Sequence, residues 1–197
     1  MYKQLRLPLD FSDNYDTEQD ILNIARELYY FYDTDDVIEL YCAGNGGLTS
    51  HSNIILNALA TCRATIIVIV DSVCYSAHAN IALSNFVDEI KIYPIGIEFM
   101  LHDMQISRNF SGTARSLELA KRDTEYSKIY YSNIGILDLL SQEEEKDFWD
   151  NKEIYFDAVS AQERLKNRAT KEFERVYGKK TQKRKTKNNS KISKKQR

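Results

Sequence analysis

The chain has 197 residues, 43% of them hydrophobic, which is enough for one domain with a buried core. No apolar run reaches the roughly 18–20 residues of a membrane span, and the N-terminus MYKQLRLPLDFSDNYD has neither an apolar core nor a small-residue cleavage site, so no membrane segment or signal peptide is expected. The net charge of −2 conceals an asymmetry: Lys166 to Arg197 carries 14 Lys/Arg and 2 Asp/Glu, a net of +12, against 13 basic and 27 acidic residues in the remainder, a net of −14.

Residues 1–17 read as a short N-terminal segment. From Glu18 to Tyr32 apolar residues fall at Ile21, Leu22, Ile24, Ala25, Leu28 and Tyr29, which is helical spacing. DTDD ends that helix, and Val37 to Tyr41 (VIELY) predicts a strand. AGNGG (Ala43 to Gly47) predicts a turn, after which Thr49 or Ser50 is placed to cap a helix with Ile54, Ile55, Ala58, Leu59 and Cys62 inward. Ala64 to Val70 is apolar almost throughout, the pattern of a strand buried on both faces in a parallel sheet. A helix follows Ser76, then two short strands, Glu89 to Tyr93 and Ile97 to Leu101, with a turn at Tyr93-Pro94. Thr113 to about Leu140 predicts a long helix interrupted only at Gly135. Ser141 opens a capping-box pattern, Ile154 to Phe156 reads as extended, and Asp157 to Lys171 as a last helix. The alternation of helix and strand predicts an α/β domain over residues 18–171. Residues 172–197 form a basic tail with too little apolar surface to offset chain entropy. It is expected to serve as a solubilising segment or as an arm that contacts nucleic acid or an acidic partner.

Three features carry chemistry. The glycine-rich turn at Gly44, Gly46 and Gly47 can present backbone N–H groups, although it lacks the lysine of a nucleotide-binding loop. Ser76 in DSVCYSAHANIA lies past the end of a strand and before a helix, where sites of open α/β sheets gather; a serine there also serves as an ordinary helix cap. His102, in EFMLHDM, is the best placed of the three histidines (His51, His78, His102) to act as a base for a distant serine. Cys42, Cys62 and Cys74 have neither metal nor disulfide spacing. Their apolar neighbours predict buried thiols, with the cytoplasm as compartment and no metal or cofactor.

The order of glycine turn, strand, serine, helix, proline, strand and histidine resembles the Clp protease proteolytic subunit family, in particular the diverged Clp-like peptidases of phage genomes, over about residues 18 to 165. VIELYCAGNGG stands where the family has a strand leading into an Asn-Ser-Pro-Gly-Gly loop. Cys74-Tyr75-Ser76-Ala77-His78-Ala79 stands where it has Ala-Ala-Ser-Met-Gly-Ala, and Met100-Leu101-His102-Asp103 where it has Met-Ile-His-Gln.

The resemblance implies a Clp/crotonase-like spiral of β-β-α units with a long protruding helix, and a serine endopeptidase with a Ser-His-acid triad. Ser76 would be the nucleophile and His102 the base. The N–H groups of Gly46 and Ala77 would form the oxyanion hole. Ungapped alignment of Glu153-Ile154-Tyr155-Phe156-Asp157-Ala158 puts Glu153 at the acid, with Asp150 and Asp147 as alternatives that need inserted residues. His78 replaces a family glycine and is expected to crowd the oxyanion hole. The resemblance further implies peptide or protein substrates and a homo-oligomeric ring paired through the long helix, with a role such as phage head maturation. The short segment before the first helix leaves an ATPase unfoldase partner open. Two alternatives remain beside this reading: a catalytically inactive Clp-like structural or assembly protein, and a crotonase-type acyl-CoA enzyme.

Overall fold

The computed structural model describes residues 1–30, 33–104, 114–173 and 175. The basic tail beyond residue 175 lies outside the described residues. The order of elements is β1 (Tyr2–Arg6), α1 (Tyr15–Tyr30), β2 (Val37–Tyr41), α2 (Thr49–Thr61), β3 (Thr65–Val70), β4 (Cys74–Tyr75), α3 (Ala77–Ala82), β5 (Glu89–Ile92), β6 (Glu98–Leu101), α4 (Ala114–Asn133), α5 (Gln142–Trp149), β7 (Ile154–Asp157) and α6 (Ala158–Phe173). The fold is mixed α/β. No helix among the described residues is long and apolar enough to cross a membrane.

The larger sheet runs β1-β2-β3-β5, parallel throughout. Its β1 was not anticipated: residues read as a short N-terminal segment instead pair in register with β2, Tyr2 opposite Val37 and Arg6 opposite Tyr41. With little apolar content, the strand YKQLR leaves no clear trace in the hydrophobic pattern. On β2, Ile38 and Leu40 face the core while Val37, Glu39 and Tyr41 are half-buried. The expectation that β3 is buried on both faces is corrected at Thr65 and Ile67, which are half-buried. The outer face carries a polar ladder: Tyr2 and Gln4 donate to Glu39, and Lys91 pairs with Glu39 at 3.2 Å. On the inner face Ile66, Val68 and Val70 join Ile21 and Leu28 of α1 and Ile55, Ala58 and Leu59 of α2 in one core.

A smaller sheet runs β4-β6-β7, with β4 and β6 parallel and β7 antiparallel to β6. Two isolated parallel bridges, Phe11 with Gly47 and Gly44 with Cys74, continue its line back toward the N-terminus. A pattern recurs. Each strand of the large sheet is followed by a short extended piece in the second ladder and then by a helix: β1–Phe11–α1, β2–Gly44/Gly47–α2, β3–β4–α3 and β5–β6–α4. The reversals between the two ladders bring the glycine loop, the end of β4 and the end of β6 side by side.

Local signals explain several helix ends. Asn14 Oδ1 accepts the Thr17 N–H at 2.8 Å at the start of α1. Ser141 and Glu144 form the anticipated capping box on α5. The long helix ends at Asn133, because Gly135 adopts φ 76°, and a 3-10 turn at Leu137–Leu139 follows it. Neither Thr49 nor Ser50 caps α2; Leu48 holds the N-cap position without a side-chain bond.

Candidate active site

Ser76 joins β4 to α3 with φ 53° and ψ −117°. Such a backbone is costly for a residue with a Cβ, and only one other described non-glycine residue, Asn151, has positive φ. One tertiary bond and the first helical bond of α3 hold it there: Ser76 N–H donates to the Met100 carbonyl at 2.7 Å, and the Ser76 carbonyl accepts from Asn80 N–H at 2.9 Å. The side chain makes no capping bond to α3, so an ordinary helix-cap role does not explain the serine.

The glycine loop lies directly against it. A Cβ on Gly46 would fall 2.6 Å from Ser76 Cβ and 3.1 Å from Ser76 Oγ, and Gly46 itself has φ 94°. No side chain fits between loop and serine, which is why a glycine stands at 46. Gly46 is buried, and its N–H donates to His78 Nδ1 at 3.1 Å. The N–H anticipated as an oxyanion donor is therefore committed to another group. Gly47, the next residue, is exposed and lines the cleft beside Ser76, and among the described residues its N–H makes no hydrogen bond. Ala77 opens α3, where helical geometry leaves the N–H without an intrahelical acceptor.

His102 follows β6 and shares a cleft of ≈ 330 Å³ with Ser76, Gly47, Ala77, Asn80 and Tyr131. Its Nδ1 lies 2.6 Å from the Asp103 carbonyl oxygen. A carbonyl only accepts, so Nδ1 carries a proton; in the neutral ring the lone pair is then on Nε2, the tautomer a general base needs. Tyr131 Oη donates to the His102 carbonyl at 3.1 Å and fixes the segment from the side of α4. The Asp103 carboxylate accepts Met104 N–H at 2.7 Å; burial raises its pKa, against the lowering effects of that bond and of nearby His102. Between Ser76 Oγ and His102 no hydrogen bond is formed among the described residues.

None of the three anticipated carboxylates is hydrogen-bonded to His102 among the described residues. Glu153 is exposed and accepts Tyr155 Oη at 2.6 Å. Because β6 and β7 pair Leu101 with Ile154, Glu153 stands across from His102 one step past the end of the ladder. Asp147 pairs with Lys152 at 2.5 Å, and Asp150 caps the C-terminus of α5. In this structure a backbone carbonyl, and none of these three acids, orients the imidazole.

Sequence reasoning missed several cleft residues. Asn80 is buried on α3, and among the described residues its Oδ1 has no partner. Tyr131 is buried, its hydroxyl pKa raised chiefly by burial. Both sit at helical positions that read equally well as core, so no signal in the sequence separated them. His78 does not crowd the cleft: its side chain is fully buried behind the glycine loop. Cys42 and Cys74 are buried, and burial followed by the neighbouring Cys42 pushes the Cys74 thiol up, away from reactivity. Cys62 is only half-buried. Among the described residues no group of His, Cys, Asp and Glu is placed to hold a metal ion. No protein-family model matches the chain, and no curated protein matches its sequence.

Proposed function

We propose that the protein is a serine endopeptidase of the Clp-like class, acting at Ser76. The observation that carries this reading is the strained Ser76 backbone, held at a strand-to-helix turn with its side chain making no capping bond. In the proposed mechanism Ser76 Oγ attacks the scissile carbonyl while His102 Nε2 takes its proton. His102 then returns that proton to the leaving amine, and water repeats the cycle on the acyl-enzyme. Gly47 and Ala77 line the cleft, and their N–H groups would stabilise the oxyanion, each such donor typically contributing about 3 kcal/mol. Glu153, opposite His102 in register, is the carboxylate of choice to stabilise the imidazolium, with the Asp103 carbonyl holding the tautomer. Met100, Met104 and Leu48 are among the residues lining the cleft, which favours peptides with an apolar residue near the cleaved bond.

The four successive strand–bridge–helix units support a Clp/crotonase-like spiral. On α4, Tyr126 and Ile129 are about half exposed, the kind of surface a second copy in a ring would cover; sedimentation at micromolar concentration tests the ring. One observation favours the inactive-scaffold alternative, namely that Ser76 and His102 are not hydrogen-bonded to each other. Fluorophosphonate labelling with mass-spectrometric site mapping decides between the two. Labelling of Ser76 that is lost in His102→Ala is expected; an unlabelled Ser76 in folded protein overturns the peptidase reading.

A further inference from the structure

Residues 8–11 lie along the glycine loop and bind it at three backbone points. Asn45 N–H donates to the Leu9 carbonyl (3.1 Å), Phe11 N–H to the Gly46 carbonyl (2.8 Å) and Leu48 N–H to the Phe11 carbonyl (2.8 Å). His78, in the first turn of α3, joins this strap to the loop. Its Nε2 is 2.7 Å from the Pro8 carbonyl oxygen, so Nε2 carries the proton. Nδ1 is then a lone-pair acceptor and takes the Gly46 N–H at 3.1 Å. The ring stacks on Phe11, with centroids 4.1 Å apart and planes 24° from parallel. It fits because Gly44 has no side chain: a Cβ there would lie 2.9 Å from His78 Cε1. All these contacts suit one species, the neutral Nε2–H tautomer.

We propose that His78 is a positioning residue for the reaction at Ser76: neutral, it holds the Gly46 N–H inward and thereby turns the Gly47 N–H to the cleft, and on protonation it releases the loop. This inference rests on the serine-peptidase reading. The chemical reason is that imidazolium donates from both nitrogens. A proton on Nδ1 would face the Gly46 N–H, donor against donor, at a distance that fits only a hydrogen bond.

The groups around His78 set where this happens. From the strap, Asp10 contributes a negative charge that favours imidazolium, and the Pro8 carbonyl accepts from the ring. From the end of β2, the Cys42 thiol donates to the His78 carbonyl at 3.3 Å, with Cys74 beyond it. From α2, His51 meets the far edge of Phe11 at 6.3 Å. Burial outweighs the Pro8 and Asp10 contributions and lowers the His78 pKa below its ordinary 6.5. A depressed histidine pKa means that the contribution of this arrangement is full above 6.5 and is lost as pH falls through the folded-state value.

The test uses the full-length protein with its seven glycines labelled with 15N. Amide spectra are followed over about pH 5–8 for wild type, His78→Asn and His78→Phe, and fluorophosphonate labelling of Ser76 is timed in parallel. Asparagine keeps an acceptor and a donor but does not titrate; phenylalanine keeps only the stack. In wild type the Gly46 and Gly47 signals should move together with one inflection below 6.5, and in both variants they should be flat. Labelling should stay within about 3-fold of wild type in His78→Asn and lose the steeper part of its acid limb, and should fall about 10-fold at every pH in His78→Phe, the scale of one lost hydrogen bond. Glycine signals that ignore pH in the wild type, or a wild-type rate and acid limb in His78→Phe, overturn the inference. Wild-type protein that never labels, yet shows the glycine titration, removes the peptidase reading and leaves His78 as the residue that sets the loop. Should a variant fail to fold by circular dichroism, the wild-type titration alone is decisive.

Discussion

Ser76 has the backbone of the first corner of a type II′ turn, φ 53° and ψ −117°, where glycine has the least cost. Holding a residue with a Cβ there costs about 1–3 kcal/mol. Ser76→Ala removes the hydroxyl and keeps the Cβ, while Ser76→Gly removes both. Glycine gives back about 0.5–1 kcal/mol because its unfolded chain has more freedom to lose. The balance predicts that Ser76→Gly is more stable than Ser76→Ala by about 1 kcal/mol, or about 2–4 °C in Tm for a chain of this length. Urea unfolding of the two variants measures the difference without any assumption about activity, as neither carries the hydroxyl. The opposite order, with alanine more stable by about 1 kcal/mol as at an ordinary helix position, would refute the strain. It would also remove the main physical reason for treating this serine as mounted for reaction.

Four other outcomes follow from the geometry. His102→Ala should lower the rate of Ser76 labelling by about 10²–10⁴-fold, the range of a lost general base, with the melting curve little changed. Glu153→Gln should cost less than about 10²-fold in kcat, because the Asp103 carbonyl already holds the tautomer at 2.6 Å; steady-state peptide hydrolysis checks it. Gly46→Ala should destabilise by about 2 kcal/mol or more in urea, against about 1 kcal/mol for Gly96→Ala, since a Cβ at 46 meets Ser76 and one at 96 meets nothing within 4 Å. Arg164 forks onto Glu144 (2.9 and 2.6 Å) and, with lesser help from Ser141, lowers that carboxyl from 4.5 to about 2. Its contribution is present above the unfolded pKa and lost as pH falls, so Glu144→Gln should cost about 1 kcal/mol at neutral pH and almost nothing near pH 2 in denaturation series.

The elements that could be read from sequence were those whose burial is periodic over a few residues. The apolar spacing of α1 and α2, the alternation of β2 and the capping box at Ser141 are local facts, and the structure has them within a few residues. The strand at Tyr2–Arg6 was not legible, because an edge strand with exposed alternate residues differs little in composition from a coil. Two-residue β4 was too short to carry a period. The both-face burial expected for β3 failed for a related reason: an apolar side chain such as Ile67 is cheap to leave half-covered, so an apolar run does not specify two covered faces.

For the site, the residue types and their order identified Ser76, His102 and a glycine loop as things to be brought together, and the cleft contains all three. Which glycine N–H is already spent was not a local question. Gly46 and Gly47 are adjacent and chemically identical, and it is His78, 32 residues along the chain, that takes the Gly46 N–H, its other nitrogen bonded to Pro8 70 residues away. The acid was equally indeterminate, since Glu153 reaches the neighbourhood of His102 only through the β6–β7 register. The sequence by itself determined the local elements and the chemical inventory, because propensity and periodic burial act over one or two turns of chain. Only the tertiary structure decided which donors are spent, which are free and which tautomers are held, because each hydrogen-bonding group is satisfied by whatever the fold brings within about 3 Å of it.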